Sequence, residues 1–181
     1  MTLNYGRQLP FCESWEGGSF GYNSWTFGVG GAGNWTLNTG VGNNAPSADF
    51  GWQPIKTNYS YSLESPTIDA SPWTCASIWL DFDYKLVDRN NTGAEKLTVE
   101  LYYSNSWHNK DEFTNNGNVD WTGKHYDISA VAGRAFKVRF TANGANSADL
   151  LHWYVDNICV YGICTPPTAL AATQSGFNTT L

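Results

Sequence analysis

The chain has 181 residues, a net charge of −6, only 14% charged residues and 15% aromatic ones, and an isoelectric point near 4.8. This acidic balance argues against nucleic acid and anionic membrane surfaces as partners, because both attract basic proteins. No run of about 20 apolar residues could cross a bilayer as a helix, and no signal-peptide pattern opens the chain, whose Met1-Thr2-Leu3 is expected to begin a piece of a longer protein.

Residues 1–9 read as a leading segment. Residues 10–16 (Pro-Phe-Cys-Glu-Ser-Trp-Glu) predict a first strand with Phe11, Glu13 and Trp15 on one face. Residues 17–33 form a glycine-rich loop anchored by Trp25 and Phe27. Within it, Gly17-Gly18-Ser19-Phe20-Gly21 matches G-x-S-x-G. A nucleophile elbow needs a buried strand leading into a helix. No helical period follows here, so Ser19 is not expected to be catalytic. A short strand at 34–39, a loop at 40–47 and a strand at 49–53 come next, ended by Pro54. Residues 59–69 contain Leu63-Glu64-Ser65-Pro66-Thr67-Ile68-Asp69, whose proline suits an edge or a strand end.

The clearest strand is 76–87. Ile78, Leu80, Phe82, Tyr84 and Leu86 alternate with Trp79, Asp81, Asp83 and Lys85, giving one dry face and one polar face. Asp81 and Asp83 share the polar face, with α-carbons about 7 Å apart. Paired carboxylates can hydrolyse glycosides, but no Glu-x-Asp-x-x-Glu arrangement accompanies them, and solvated outer-face acids are expected. Residues 88–94 read as a hairpin-like turn. Alternation returns at 96–104 (Leu97, Val99, Leu101, Tyr103), and residues 107–119 read as an Asn-rich polar loop. Further strands are expected at 121–128 and at 135–141 (Phe136, Val138, Phe140).

The last strand, 150–162, is long and mostly apolar. A strict period of two puts Tyr154, Asp156, Ile158 and Val160 on one face, and Trp153, Val155, Asn157 and Cys159 on the other. Asp156 in that setting needs a partner or a cation. Many antiparallel strands with frequent turns predict an all-β fold, a two-sheet antiparallel β-sandwich. The strand number favours a jelly roll over an immunoglobulin fold. No segment sustains a helical period.

Cys12, Cys75, Cys159 and Cys164 allow three disulfide pairings. No C-x-x-C pair is present, so zinc is not expected. Two disulfides in a secreted protein are. If the first and last strands are neighbours, Cys12 could reach Cys159 or Cys164, and spacing does not choose. His108, His125 and His152 are scattered, without a His-x-x-x-His pair.

Trp35, Trp79, Trp121 and Trp153 lie on predicted strands. Trp25, Trp52, Tyr59, Tyr61 and Trp107 lie in or beside loops. An exposed ring stacks on the C–H face of a sugar while neighbouring amides bond its hydroxyls. Trp52-Gln53 with Asn58-Tyr59 and Tyr61, and Trp107-His108-Asn109, are the candidate clusters. The plainer alternative is that each aromatic staples a loop to the sandwich.

Several pieces, in order, carry a resemblance. They are Phe11-x-Glu13-x-Trp15-Glu16; Gly33-Asn34-Trp35; Leu63 to Asp69; Leu80-Asp81-Phe82-Asp83-Tyr84; Trp121 with Asp127-Ile128; Phe136-Lys137-Val138-Arg139-Phe140; and Trp153-Tyr154-Val155-Asp156-Asn157-Ile158. Together they resemble the MAM-like jelly rolls of secreted Bacteroidetes proteins, including the cleaved-adhesin type of gingipain haemagglutinin regions. The resemblance spans about 10–163. The cysteine placement departs from that of animal MAM domains, and the loops 17–33 and 107–119 match no motif. It implies a non-catalytic module within a larger secreted or surface protein, flanked by neighbouring domains of the same chain. It also implies a structural Ca2+ near the junction of the first and last strands, with Glu13, Glu16, Asp156 and Asn34 as candidate ligands. Calcium takes six to eight oxygens, so loop carbonyls and water would complete such a set. The alternative is that Asp156 bonds backbone amides and the glutamates are solvated.

The domain is expected over 10–164. The tail, 165–181, with Cys164-Thr-Pro-Pro-Thr-Ala-Leu-Ala, resembles the opening of a fibronectin type III domain and reads as a linker or its truncated start. Asn34, Asn58, Asn90 and Asn178 open glycosylation sequons, which carry little weight in a bacterial protein. The expected function is carbohydrate or cell-surface attachment. A spacer or protein-interaction domain without a small ligand is the alternative, and a glycan-active enzyme the third.

Overall fold

The computed structural model of the chain describes residues 6–74, 76–164, 173–175 and 178–180. Its strands run β1 (Arg7–Gln8), β2 (Phe11–Glu13), β3 (Thr26–Phe27), β4 (Trp35–Asn38), β5 (Ser47–Gly51), β6 (Thr57–Glu64) and β7 (Ile68–Asp69). They continue as β8 (Ala76–Asp88), β9 (Lys96–Tyr103), β10 (Ser106–Thr114), β11 (Val119–Asp127), β12 (Ala135–Asn146) and β13 (Leu150–Cys164). Short 3-10 turns at Ser129–Val131 and Ser147–Asp149 flank β12. Thr173–Ser175 and Asn178–Thr180 pair with one another as a separate antiparallel ribbon. The rest of the tail, like Cys75 and residues 1–5 of the leading segment, lies outside the described residues.

Two sheets face each other. The first runs β10-β9-β12-β6-β3, with β7 and β1 alongside the start of β12. The second runs β11-β8-β13-β5-β4, with β2 joining β13 beside β5. Both are antiparallel except for the parallel β1–β7 pair. This is the expected two-sheet jelly-roll sandwich. Alternation places Ile78, Leu80, Phe82, Tyr84 and Leu86 of β8 against Leu97, Val99 and Leu101 of β9 and Phe136, Val138 and Phe140 of β12, all buried. Trp15, Trp25, Phe50 and Trp153 fill the interior between them. Each such side chain contributes about 1.5–3 kcal/mol by leaving water.

Besides β3, which lies within the expected loop 17–33 and pairs with β6, four features depart from the expectations. The 107–119 stretch is not a loop. Ser106–Thr114 forms β10, joined to β9 by a tight turn in which Ser104 (φ 51°) and Asn105 (φ 64°) both adopt left-handed conformations. Such a turn matches the twist of a hairpin. As an edge strand β10 has little to bury, so its sequence carries no apolar alternation. Residues 88–94 do not close a hairpin either. They carry the chain from β8 in the second sheet to β9 in the first. Arg7–Gln8 of the leading segment join a sheet.

The fourth departure is in β13. Its period of two breaks between Asp156 and Cys159, where Asn157 and Ile158 together oppose Phe82 and Asn157 takes φ 48°. This β-bulge resets the phase. Trp153 and Val155 before it, and Ile158 and Val160 after it, share the core face. Asp156 therefore does not share a face with Ile158 and Val160.

Cys12 and Cys159 stand opposite one another on β2 and β13 and form a disulfide across 147 residues of chain. Of the two partners open to Cys12, the structure takes Cys159. Cys164 is exposed and pairs in register with Ala76.

Candidate functional site

The outward face of the first sheet brings polar and aromatic side chains into rows. Directly paired residues of adjacent strands share a face. Trp107 of β10 therefore stands beside Tyr102 of β9, and Tyr102 beside Lys137 of β12. One row along, Asn109 stands beside Glu100, Arg139 and Glu64. The Trp107 and Tyr102 rings meet at 5.2 Å and 55°. Arg139 places its guanidinium 3.9 Å from the centre of the Trp107 ring. It also donates two hydrogen bonds to Glu100, Nε to Oε2 at 2.6 Å and Nη2 to Oε1 at 2.8 Å. Thr141 donates to the same carboxylate at 3.2 Å, and Asn143 donates to Thr98 at 3.0 Å.

A planar guanidinium can grip a carboxylate through its edge and a ring through its face. Arg139 does both, fixing the indole on the sheet while Trp107 stays half-buried and Asn109 stays exposed. A held, partly open aromatic ring beside a charge pair and an exposed amide can serve as a platform for a sugar ring.

The other candidate ligand residues are dispersed. His108 points away from Trp107, as alternation requires, and stacks on Tyr103 at 4.0 Å. Trp52, at the end of β5, carries the Arg89 guanidinium at 4.2 Å. Gln53 and Asn58 are exposed, but Tyr59 and Tyr61 are not their surface partners. Both rings point inward from β6, where Tyr59 stacks on Phe50 at 5.4 Å and is buried. The expectation of a Trp52–Tyr59–Tyr61 sugar cluster is corrected by strand phase: Leu63 faces the core, and Tyr61 and Tyr59 follow it at intervals of two. Sequence reasoning missed Tyr102, Glu100 and Arg139. The signal was present in their position as the polar members of the alternating strands 96–103 and 135–141.

The acids form a second neighbourhood, where β2 meets β13. Glu13 is buried, with Oε1 accepting from the Trp15 N–H at 2.7 Å. Its Oε2 is buried without a hydrogen-bond partner. Glu13 and exposed Glu16 line one groove of about 420 Å3 with Ser14, Tyr22 and Asn23. Asp156 is wholly buried, because Asn43 from the β4–β5 loop folds over it. Its Oδ2 accepts from the Asn43 N–H at 2.9 Å and its Oδ1 from the Asn157 N–H at 2.7 Å. Burial pushes the Asp156 carboxyl up to about 7. The two amides oppose that shift, and the negative charges of Asp83 and Glu13 add to it.

Asn34 stands apart from this group. It donates to the carbonyls of Gly51 and Pro54 at 2.8 and 2.9 Å, beside the other end of β13. No three His, Cys, Asp or Glu side chains converge closely enough to hold an ion by themselves among the described residues.

Asp81 and Asp83 lie on the outward face of the second sheet, and each is tied. Asp81 pairs with His125 Nδ1 at 2.6 Å and accepts from the Tyr161 hydroxyl at 3.1 Å. Asp83 accepts from the amides of Asn43 and Asn157, both at 2.8 Å. No helix among the described residues is long and apolar enough to cross a membrane.

No family model and no curated protein matches the chain. Solved structures do share its architecture. The K3 cleaved adhesin domain of Lys-gingipain from Porphyromonas gingivalis aligns over 83% of this chain and 98% of its own, with a TM-score of 0.62 at 15% identity. A CBM61 module solved with β-1,4-galactotriose aligns over 82% and 93%, with a TM-score of 0.56 at 11% identity. The CBM22-2 xylan-binding domain of Paenibacillus barcinonensis Xyn10C aligns over 84% and 99%, with a TM-score of 0.53 at 17% identity. The chain thus has the fold of cleaved adhesin domains and of these carbohydrate-binding modules, as its ordered motifs suggest.

Proposed function

We propose that this domain is a non-catalytic module of a secreted or surface protein that attaches it to a glycan, and that the glycan lies on Trp107 and Tyr102. The observation that carries this reading is the Arg139 clamp. An indole left half-open on a sheet face, yet fixed by a guanidinium that is itself held bidentately, is ordered before any ligand arrives. That lowers the entropy cost of binding. The fold shared with a xylan-binding domain and with a module solved in complex with β-1,4-galactotriose supports the same reading. The acids best suited to hydrolysis, Asp81 and Asp83, are each spent on local hydrogen bonds, which favours a binding role over turnover.

A Ca2+ ion at the β2–β13 junction is the second part of the proposal. The orphaned Oε2 of Glu13 is a donor of the hard type calcium requires. Glu13 would anchor the ion, with Glu16 from the same groove or Asp156 beside it, and carbonyls and water completing the set. Calcium there supplies countercharge to a crowded acidic spot and ties the first strand to the last.

Affinity electrophoresis of the purified domain against a panel of polysaccharides tests the first part. Retardation that Trp107→Ala removes supports it. A protein that migrates freely through every polysaccharide, or a Trp107→Ala variant retarded like the wild type, overturns it.

A further inference from the structure

A groove of about 670 Å3 lies where β1, β3, β7 and β12 meet, and its charged lining is basic. Gly6, Arg7, Gln8, Ser24, Thr26, Ser65, Pro66, Thr67 and Lys137 form its walls, without a carboxylate among them. The neighbouring acids are already engaged. Asp69 accepts from Gln8 Nε2 at 3.0 Å and from the Ser71 N–H at 2.9 Å. Glu64 accepts from the Ser62 hydroxyl and lies 3.9 Å from Arg139.

The two cations of the groove are not engaged in ion pairs. Lys85, Lys96 and Arg139 each pair with a carboxylate. Among the described residues Lys137 makes no ion pair, and the Arg7 side chain makes only a 3.4 Å hydrogen bond to the Ser24 hydroxyl. An unmatched positive pair flanked by hydroxyls is a receptor for an anionic group.

Lys137 also belongs to the face already described. It stands directly beside Tyr102, which stands beside Trp107. Two strand spacings, roughly 10 Å, therefore separate Trp107 from the groove wall. A short run of sugar units spans that distance.

We propose that the glycan bound on Trp107 and Tyr102 is an acidic polysaccharide, whose carboxylate or sulfate groups enter the groove between Arg7 and Lys137. This rests on the glycan reading above and adds the chemical class of the ligand. The aromatic pair receives a ring face, and the groove reads charge a few units along the chain.

The test uses the whole domain in affinity electrophoresis with matched polymers. Polygalacturonate is compared with its highly methyl-esterified form, and a sulfated galactan with agarose, which separates carboxylate from sulfate as the recognised group. The charged member of at least one pair should retard the domain about tenfold more than its neutral partner, and added salt should narrow the gap. Lys137→Gln and Arg7→Gln should each weaken that binding about five- to tenfold. The double variant should lose the preference while keeping the wild-type Tm. Equal retardation by charged and neutral partners overturns the proposal, as does a double variant that keeps the preference. If neutral polymers bind and Trp107→Ala removes that binding while the charge variants change nothing, the glycan reading stands and the acidic class falls. If no polymer binds, both fall.

Discussion

Arg139 and Trp107 are locked together across β9: the guanidinium lies 3.9 Å from the indole centre while its Nε–Nη2 edge holds Glu100. Neither residue is part of the core, and neither contact closes a turn. The arrangement orders a ring on an open sheet face, and the first two predictions follow from it.

Trp107→Ala should lower glycan affinity at least about tenfold, which corresponds to about 1.4 kcal/mol, while circular dichroism stays that of the wild type. Tyr102→Ala should have a smaller effect in the same direction. Titration calorimetry with the best polymer of the panel measures both. Equal affinities for wild type and Trp107→Ala would place the ligand elsewhere.

Arg139→Lys keeps the charge but loses the bidentate grip. Stability should fall by about 1–2 kcal/mol, since hydrogen bonds to charged groups are worth somewhat more than neutral ones. Affinity should fall a few-fold as Trp107 loosens. Chemical denaturation of Arg139→Lys, Glu100→Gln and the double variant gives the coupling. Additive losses would mean that the two residues do not act as a unit.

Chelator should lower Tm, and Glu13→Gln should remove that sensitivity by deleting the charge beside the orphaned oxygen. The pH dependence has a definite sign. Asp156 is held up to about 7 from an ordinary 3.8. In chelator its contribution to stability is fully present below the unfolded value, 3.8, and is lost as the pH rises through about 7. The advantage of wild type over Asp156→Asn should therefore shrink between pH 5 and pH 8. Saturating calcium should reverse that trend, because the ion binds the ionised form. Melting curves at these pH values, with calcium and with chelator, check it. Identical curves under all conditions would remove calcium from the account.

Replacing Cys12 and Cys159 by serine opens a closure of 147 residues. Loop entropy sets the upper loss at about 5 kcal/mol. Urea denaturation of this variant against wild type reads it directly. An unchanged midpoint would mean that the strand pairing of β2 and β13 suffices without the covalent link.

At the bulge, Asn157 combines φ 48° with side-chain donors to the Asn43 carbonyl and to Asp83. Asn157→Gly keeps the backbone conformation and loses the bonds. Asn157→Ala loses both, and should cost about 1 kcal/mol more than the glycine variant. Equal losses would place the whole role in the side chain.

The sequence by itself determined the fold class, because burial on one face of a strand writes a period of two into the residues. The alternation of 76–87, 96–104 and 135–141 needed no neighbour to be read, and the motif order agreed with it. It also marked Trp107 and Asn109 as ligand candidates. What it left undecided depends on contacts between residues distant in the chain. An edge strand such as β10 buries too little to show a period. A bulge at Asn157 exchanges the two faces of β13 without changing its composition. The grip of Arg139 on Trp107 and Glu100 exists only because β10, β9 and β12 lie side by side. The choice of Cys159 over Cys164 for Cys12, the burial of Asp156 under Asn43, and the basic groove at Arg7 and Lys137 are likewise products of register and packing. Only the folded chain brings those pairs within reach.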